Sequence, residues 1–213
     1  MQHFKDLATK TKQVIKFKSI ISGNTVQFPA FITKFDDNYT VSWGGGAPIF
    51  GRTDPIKNYQ STSRRISVAF DILGESYESA KENFVNFSNL IKMLYPVYSD
   101  KIKKDNNART IRGAPLIRIK YVNYIHNPEH PEGLLGCVGG FNFSPDFNAG
   151  HFSDGENGDL LPLKYSLSFT FEPIHEKPLG AEVGDPATFL QESFPYNQPG
   201  EFTRTTQNAR RLS

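Results

Sequence analysis

The chain has 213 residues and a formal net charge of +2, and 13% of its residues are aromatic, with 18 phenylalanines. This length suits one ordinary domain with a sizeable core, and the near-balanced charge gives no argument for nucleic acid or an anionic membrane as the main partner. The phenylalanines fit two interpretations, a Phe-rich β core or aromatic surface buried between subunits.

The single cysteine and the N-terminus exclude several classes of protein. Cys137 alone cannot form an intrachain disulfide or a Cys-based zinc site. It lies between Gly136 and Val138, and we expect a small buried hydrophobic side chain there. The N-terminus lacks the apolar segment of a signal peptide, and no apolar run approaches the roughly 18 residues that span a bilayer. We expect a soluble protein, made in a cytoplasm, with no membrane contact.

The first part of the chain predicts a small antiparallel unit that follows a polar N-terminal arm, residues 1–12. A glycine turn at Gly23 suits a hairpin, whereas Pro29 shifts its strand toward a sheet edge or a bulge. A further turn is expected at residues 36–38. The predicted strands cover residues 14–21, 25–35 and 39–43.

The clearest strand covers residues 66–73, where apolar and polar side chains alternate with a period of two. A long loop opened by the glycines 44–46 precedes it and carries Arg52 and Asp54. Two roles fit these charges equally well. One is a salt bridge that pins the loop or joins neighbouring chains, and the other is an internal hydrogen-bonded clasp that shapes the loop.

One helix is predicted over residues 77–95, with Ser76 as its N-cap and Pro96 as its end. Its apolar stripe should pack on the sheet, and a groove on a partner is the alternative. The predicted stripe consists of Ala80, Phe84, Phe87, Ile91 and Leu94.

The second half of the chain is rich in strands. Residues 99–112 form a basic loop, which is expected to be solvated or to contact an acidic neighbouring subunit. Strands are predicted over residues 115–123, 134–144 and 163–171, with a loop over 145–159. The whole order is typical of an α+β fold, mostly antiparallel, with a β domain over residues 13–177.

The sequence pattern changes at residues 178–213, because prolines and glycines interrupt the segment and its apolar residues no longer recur with a regular period. This segment is either disordered or an extended C-terminal arm that becomes ordered on a neighbour. The spaced aromatic side chains Phe189, Phe194 and Tyr196 favour the arm.

No catalytic or metal-binding motif is evident. His126 and His130 are four residues apart, but the prolines beside them forbid a helix that would place both on one face. Residues 154–159 contain oxygen ligands and glycines but lack the spacing of an EF-hand loop. We therefore expect no enzyme activity, no cofactor and no metal.

One stretch resembles a known family. It reads Phe50-Gly51-Arg52-Thr53-Asp54-Pro55-Ile56 and is followed by Tyr59, Thr62, Arg64 and the alternating residues 66–71. The pattern resembles one in structural proteins of contractile-tailed bacteriophages, namely small baseplate and tail-tube-initiator proteins, and the resemblance extends to residue 178. Phe50 stands where that family usually has Tyr, and Arg65 where Ser often follows the arginine.

The resemblance implies a tail-tube-like β-sandwich or half-barrel with one flanking helix. It implies a virion protein of the tail baseplate that forms a homohexameric ring, templates the tail tube and lines a channel for genomic DNA without sequence-specific binding. The implied partners are other copies of this chain, the tail tube protein and baseplate hub or wedge proteins. The candidate interface residues are Phe50, Arg52, Asp54, Tyr59, Arg64, Phe189, Phe194 and Tyr196.

A glycan-binding β-sandwich module is the alternative function. Trp43, Tyr59 and Tyr124 are aromatic side chains that a β scaffold can present to a sugar. A small enzyme of unrecognised type is a weaker third possibility, because no set of residues supports it.

Overall fold

The computed structural model describes residues 13–46, 50–52, 54–98, 110–154, 158–182, 185–189 and 194–196, together with residues 8 and 10. Most of the predicted N-terminal arm and most of the basic loop at 99–112 lie outside these ranges. So do residues 155–157, which belong to the segment compared above with an EF-hand loop, and most of the C-terminal segment beyond residue 189.

The described residues form one long helix and a series of strands. In chain order these are β1 (Val14–Ser19), β2 (Thr25–Pro29), β3 (Phe31–Gly45), β4 (Lys57–Leu73), α1 (Tyr77–Lys92), β5 (Val97–Tyr98), β6 (Ile111–Gly113), β7 (Ile117–Lys120), β8 (Leu134–Asp154), β9 (Asp159–Pro173), β10 (Ala181–Glu182) and β11 (Asp185–Phe189). No helix in the described ranges is long and apolar enough to cross a lipid bilayer.

Seven strands form one sheet in the order β2-β1-β7-β8-β9-β4-β3, and every neighbouring pair is antiparallel. The two edge strands, β2 and β3, are separated along the chain only by Ala30. Two residue steps span about 7 Å at most, so the sheet must curl until its edges meet at this corner. The result is a β-sandwich or half-barrel with a flanking helix, which confirms the predicted α+β, mostly antiparallel fold.

Phenylalanine side chains fill much of the interior. Phe17 lies edge-on to Phe28, Phe141 and Phe169, at ring-centroid distances of 6.3, 5.5 and 5.4 Å. Such edge-to-face pairs stabilise a core beyond the area they bury. The fully buried apolar side chains include Ile15, Phe17, Phe28, Ile66, Phe70, Ile117, Ile119 and Phe171. The described phenylalanines therefore supply a β core within one chain.

The helix begins as predicted but ends earlier, and its predicted apolar stripe is confirmed in part. Ala80 is buried, and Phe87 and Leu94 pack against the core. The Ser79 N–H donates to the Ser76 hydroxyl oxygen at 3.2 Å, and α1 ends at Lys92 rather than near residue 95. Phe84, predicted to pack on the sheet, is 45% exposed, whereas Asn83 is buried. The reason is a polar contact, because the Asn83 amide donates to the Leu73 carbonyl at 3.3 Å and turns that side of the helix inward.

Several predicted turns are inside strands. The predicted turn at residues 36–38 lies within β3, the predicted loop before residue 66 is strand from Lys57 onward, and β8 runs through most of the predicted loop at 145–159. Apart from Asp37 and Arg64, the described side chains of these segments are exposed or half-buried, so the segments show no alternation of apolar and polar residues. Cys137, predicted to be buried, is exposed, because its position on β8 faces away from the core.

Two ribbons project from opposite ends of the sheet. β4 pairs with β9 only over residues 66–73, so residues 57–65 continue outward with residues 38–45 of β3. We call these two segments the β3–β4 ribbon. β8 and β9 extend past the other end of β4 and pair as far as Asp154 and Asp159, beyond a bulge at residues 147–150. We call that extension the β8–β9 ribbon.

Candidate interaction surface

The β3–β4 ribbon carries a line of exposed apolar side chains. Cross-strand pairing places Tyr39 opposite Arg64, Val41 opposite Thr62 and Trp43 opposite Tyr59. Residues directly opposite in an antiparallel pair share one face, and here that face continues the core side of β4. Tyr39, Val41, Trp43 and Tyr59 are 41%, 47%, 56% and 59% exposed.

The Trp43 and Tyr59 rings form the outer part of this line. Their centroids are 5.8 Å apart with an angle of 80° between the ring planes, and the Tyr59 hydroxyl donates to the Thr62 hydroxyl oxygen at 2.8 Å. The two side chains therefore contact each other and Thr62 although they are exposed to solvent. Exposed aromatic side chains are typical anchors of protein interfaces.

The tip between β3 and β4 carries three of the residues singled out from the sequence. Phe50 is fully exposed, and Arg52 and Asp54 are exposed as well. Within the described part of the chain, no ion pair joins Arg52 to Asp54. Gly51 adopts a φ of 85°, a conformation that favours glycine and sets the direction of the chain beside Phe50.

Arg64 and Asp37 form a buried ion pair at the base of the β3–β4 ribbon. The Arg64 Nε donates to both carboxylate oxygens of Asp37, at 3.0 and 3.1 Å, and Nη2 donates to Oδ2 at 2.6 Å. The side chains of Arg64 and Asp37 are only 4% and 3% exposed. A planar guanidinium held in this way by a carboxylate is fixed in orientation and offers both of its faces to neighbouring rings.

Three aromatic rings pack around that guanidinium. The Arg64 Cζ lies 5.3 Å from the ring centroid of Tyr39, 5.5 Å from that of Phe194 and 5.9 Å from that of Tyr196. These distances are within the range of cation–π contacts. Two of the rings come from the C-terminal segment, so Phe194 and Tyr196 meet Arg64 of their own chain.

Two tyrosine hydroxyls also donate hydrogen bonds to the Asp37 carboxylate. Tyr39 and Tyr196 each donate to Asp37 Oδ2, at 3.0 and 2.9 Å. Burial raises the pKa of both tyrosines above the ordinary value, and the adjacent carboxylate raises it further. Both hydroxyls therefore stay protonated, as donation requires.

Two further aromatic rings, those of Tyr124 and His175, lie next to the rings of Tyr196 and Phe194. The Tyr124 ring lies 5.9 Å from that of Tyr196 and 5.2 Å from that of Phe35, and the His175 ring lies 5.5 Å from that of Phe194. Burial and then the nearby Arg64 lower the pKa of His175, while Asp37 acts in the opposite direction. We call Asp37, Tyr39, Arg64, Tyr124 and His175 the Arg64 cradle.

A second ion pair fixes the chain next to the cradle. Arg118 donates to both carboxylate oxygens of Glu176, at 3.0 and 2.6 Å, and Asn127 donates to one of them at 3.3 Å. His130 Nε2 lies 3.4 Å from the same carboxylate. The hydrogen bonds from Arg118 lower the pKa of Glu176. Within the described ranges, no cluster of His, Cys, Asp or Glu side chains has an arrangement that could hold a metal ion.

The outer face of the sheet is made of small polar side chains and compensated charges. A shallow depression of about 540 Å³ is lined by residues of β3, β4, β8 and β9, among them Ser67, Ala69 and Thr170. Charged side chains on this face are paired across strands, as Arg65 with Glu172, and Lys164 with Asp71 at 3.1 Å. The face therefore carries little net charge.

Of the residues singled out from the sequence, the structure brings together Arg64, Phe194 and Tyr196. Phe50, Arg52, Asp54 and Tyr59 lie on the β3–β4 ribbon or its tip, and Phe189 is the last residue of β11. Asp37 and Tyr39 were not predicted. One signal was present: Arg64 has the same parity as the buried Ile66 and Val68, and a cation on the core face of a strand requires a carboxylate partner.

The comparisons with known proteins do not identify the chain. No protein-family model matches it, and no curated protein matches its sequence.

Proposed function

We propose that this chain is a structural subunit of a contractile phage tail, which forms a ring at the junction of the tail tube and the baseplate. The observation that carries the proposal is the pair of ribbons projecting from opposite ends of one curled sheet. A subunit of a stacked assembly must contact neighbours on both sides along the stacking direction, and such projections supply those contacts.

The sheet edges supply contacts in the other direction. β3 is a sheet edge of fifteen residues, far longer than an edge that a monomer would leave uncovered without cost. Copies of the chain related by rotation can pair such edges head to tail, and a closed ring removes them. We infer a homohexamer from the resemblance described above, and the tail tube protein and baseplate hub or wedge proteins as the further neighbours.

The outer face suits the wall of a channel that DNA passes through. A strongly basic lining would hold the DNA phosphates, whereas small polar groups and paired charges hold them weakly. The paired charges described above support this role for the outer face of β4 and β9. The proposed function requires no chemical step, no cofactor and no sequence-specific contact with DNA.

The test is the mass of the purified full-length chain in solution, alone and mixed with the tail tube protein of the same phage. We expect rings or short tubes on mixing, seen by light scattering and by electron microscopy. A chain that stays monomeric and leaves tube polymerisation unchanged would contradict the proposal.

A variant of the β3–β4 ribbon makes the test specific. Because Trp43 is exposed and lies outside the core, Trp43→Ala should leave the free energy of unfolding within about 1 kcal/mol. It should weaken association with the tube protein by about tenfold or more, as expected for an aromatic anchor. Tyr95→Ala is the matched control, because Tyr95 is 68% exposed and follows the helix. If both variants associate equally with the tube protein, the β3–β4 ribbon is not part of the interface.

A glycan-binding module remains the second candidate, favoured by the exposed rings of Trp43 and Tyr59. Their planes are 80° apart, so a sugar could stack on only one of them. Retention of the chain on cell-wall or polysaccharide columns, lost in Trp43→Ala, would support this function. Rings formed with tube protein, without such retention, would exclude it.

A further inference from the structure

The C-terminal residues 194–196 meet the rest of the chain in the way a bound peptide meets its receptor. The preceding strands β10 and β11 pair with each other and form a separate two-stranded sheet. No main-chain ladder in the described residues joins residues 194–196 to the seven-stranded sheet. The contacts of Phe194 and Tyr196 with the cradle include ring contacts and the hydrogen bond from the Tyr196 hydroxyl to Asp37.

All five residues of the cradle belong to the folded body. Asp37 and Tyr39 lie on β3, Arg64 on β4, and Tyr124 and His175 next to β7 and β9. The Arg64–Asp37 pair and the Tyr39 hydrogen bond join residues of the folded body to one another. We therefore expect the receiving groups to be in place before the segment arrives, and such preorganisation lowers the entropic cost of binding.

The side chains of Phe194 and Tyr196 each contact a cradle group of matching chemistry. The Tyr196 hydroxyl donates to the Asp37 carboxylate, the rings of Phe194 and Tyr196 contact the Arg64 guanidinium, and Phe194 also packs on His175. The segment reads Phe194-Pro195-Tyr196, and its proline limits the conformations that the free segment must give up.

We propose that the Arg64 cradle is a peptide-docking site for an aromatic-Pro-Tyr segment and that the chain's own residues 194–196 occupy it reversibly. The inference is independent of the proposed function, because it concerns a contact within one chain. It assigns a binding site whose ligand class is defined by one tyrosine hydroxyl and two aromatic rings.

The test uses the full-length chain with Phe194→Ala and Tyr196→Ala, which leaves every cradle residue unchanged. The probe is a fluorescent peptide with the sequence of residues 192–198, Glu-Ser-Phe-Pro-Tyr-Asn-Gln, and binding is followed by fluorescence anisotropy. We expect saturable binding to the double variant. Binding to the native chain should be at least about tenfold weaker, because a tethered segment competes at a high effective concentration.

Two matched peptides check the recognition. The peptide with Phe in place of Tyr should bind about tenfold more weakly, because it loses a hydrogen bond to a charged acceptor. A peptide of scrambled sequence should not bind. Tyr124→Ala, added to the double variant, should weaken binding as well, because Tyr124 packs on the Tyr196 ring.

Absence of saturable binding to a folded double variant would overturn the proposal, and so would equal binding of all three peptides. If the double variant does not fold, the native chain is measured by NMR of its Phe and Tyr ring signals with excess unlabelled peptide. Displacement should then shift the ring signals of Phe194 and Tyr196, and unchanged signals would overturn the proposal. Neither readout depends on ring or tube formation, so its failure is separate from failure of the proposed function.

Discussion

Asp37 accepts hydrogen bonds from three side chains that lie on three separate segments of the chain. Arg64 comes from β4, Tyr39 from β3 itself, and Tyr196 from the C-terminal segment. Burial of the ion pair is costly unless such partners satisfy the charges. The cradle meets that requirement, and it makes the neighbouring residues Arg64 and Arg65 very different in energetic importance.

Arg64→Ala should therefore destabilise the chain by about 3–5 kcal/mol, because it leaves the Asp37 carboxylate buried without its counter-ion. Arg65→Ala is the matched control. The Arg65 side chain is 63% exposed and pairs with an exposed Glu172, so its removal should cost about 1 kcal/mol or less. Urea unfolding measures both free energies, and equal effects would show that the buried pair contributes little.

His175 should make stability depend on pH. Its pKa is lowered in the folded chain, chiefly by burial and then by Arg64, so the unfolded chain binds more protons below its ordinary pKa of about 6.5. Stability should hold above that pH and fall as the pH drops from about 6.5 toward the lowered pKa. His126, with a pKa also lowered by burial, should add to the same slope.

The measurement is the free energy of unfolding in urea at pH 7.5 and pH 5.5. His175→Asn should reduce the loss between these two values, whereas His151→Asn, which changes an exposed residue of β8, should not. An unchanged loss in His175→Asn would show that other groups cause the pH dependence.

At the scale of elements, β8 and β9 approach each other closely where Gly136 lies opposite Pro173. A Cβ added at Gly136 would lie 2.3 Å from the Glu172 carbonyl oxygen and 2.7 Å from the Phe171 ring. Such a contact forces the two strands apart, because backbone atoms on one strand cannot rotate away.

Gly136→Ala should thus destabilise the chain by about 1–3 kcal/mol, the usual cost of overpacking. Gly46→Ala is the control, because nothing lies within 4 Å of its added Cβ, and its effect should stay within about 0.5 kcal/mol. Thermal unfolding of both variants measures the difference. A stable Gly136→Ala chain would mean that β8 and β9 can separate at this point without cost.

At the scale of the whole molecule, the elements predicted correctly from the sequence are those with one buried face and one exposed face. The strand at residues 66–73 and the N-cap at Ser76 are confirmed, because burial on one side imposes alternation and a helix start needs a hydrogen-bond acceptor. The strand predicted at residues 39–43 is confirmed as part of β3. Residues 57–65 of β4 and the outer part of β8 were predicted as loops, since no buried face imposes apolar alternation on them. Asp37 was missed because its partner is set by cross-strand register, 27 residues away in sequence.

The cradle was only partly predictable for the same reason. Arg64, Phe194 and Tyr196 are conspicuous as residue types, but no local pattern says that a C-terminal segment returns to β4. Long-range packing decides that. The consequence for the whole molecule is that the core and the C-terminal segment should be separable, because no described residue beyond Phe171 belongs to the buried core cluster.

A chain that ends after Phe189 should therefore fold. Its far-ultraviolet circular dichroism should match that of the full chain, and its free energy of unfolding should be lower by about 1–3 kcal/mol, because the ring contacts and one hydrogen bond on the cradle are lost. The full-length double variant with Phe194→Ala and Tyr196→Ala should show most of the same loss, since these two side chains make the described contacts of the segment. A truncated chain that fails to fold beside a stable double variant would show that residues 190–213 stabilise the sheet by contacts other than those on the cradle.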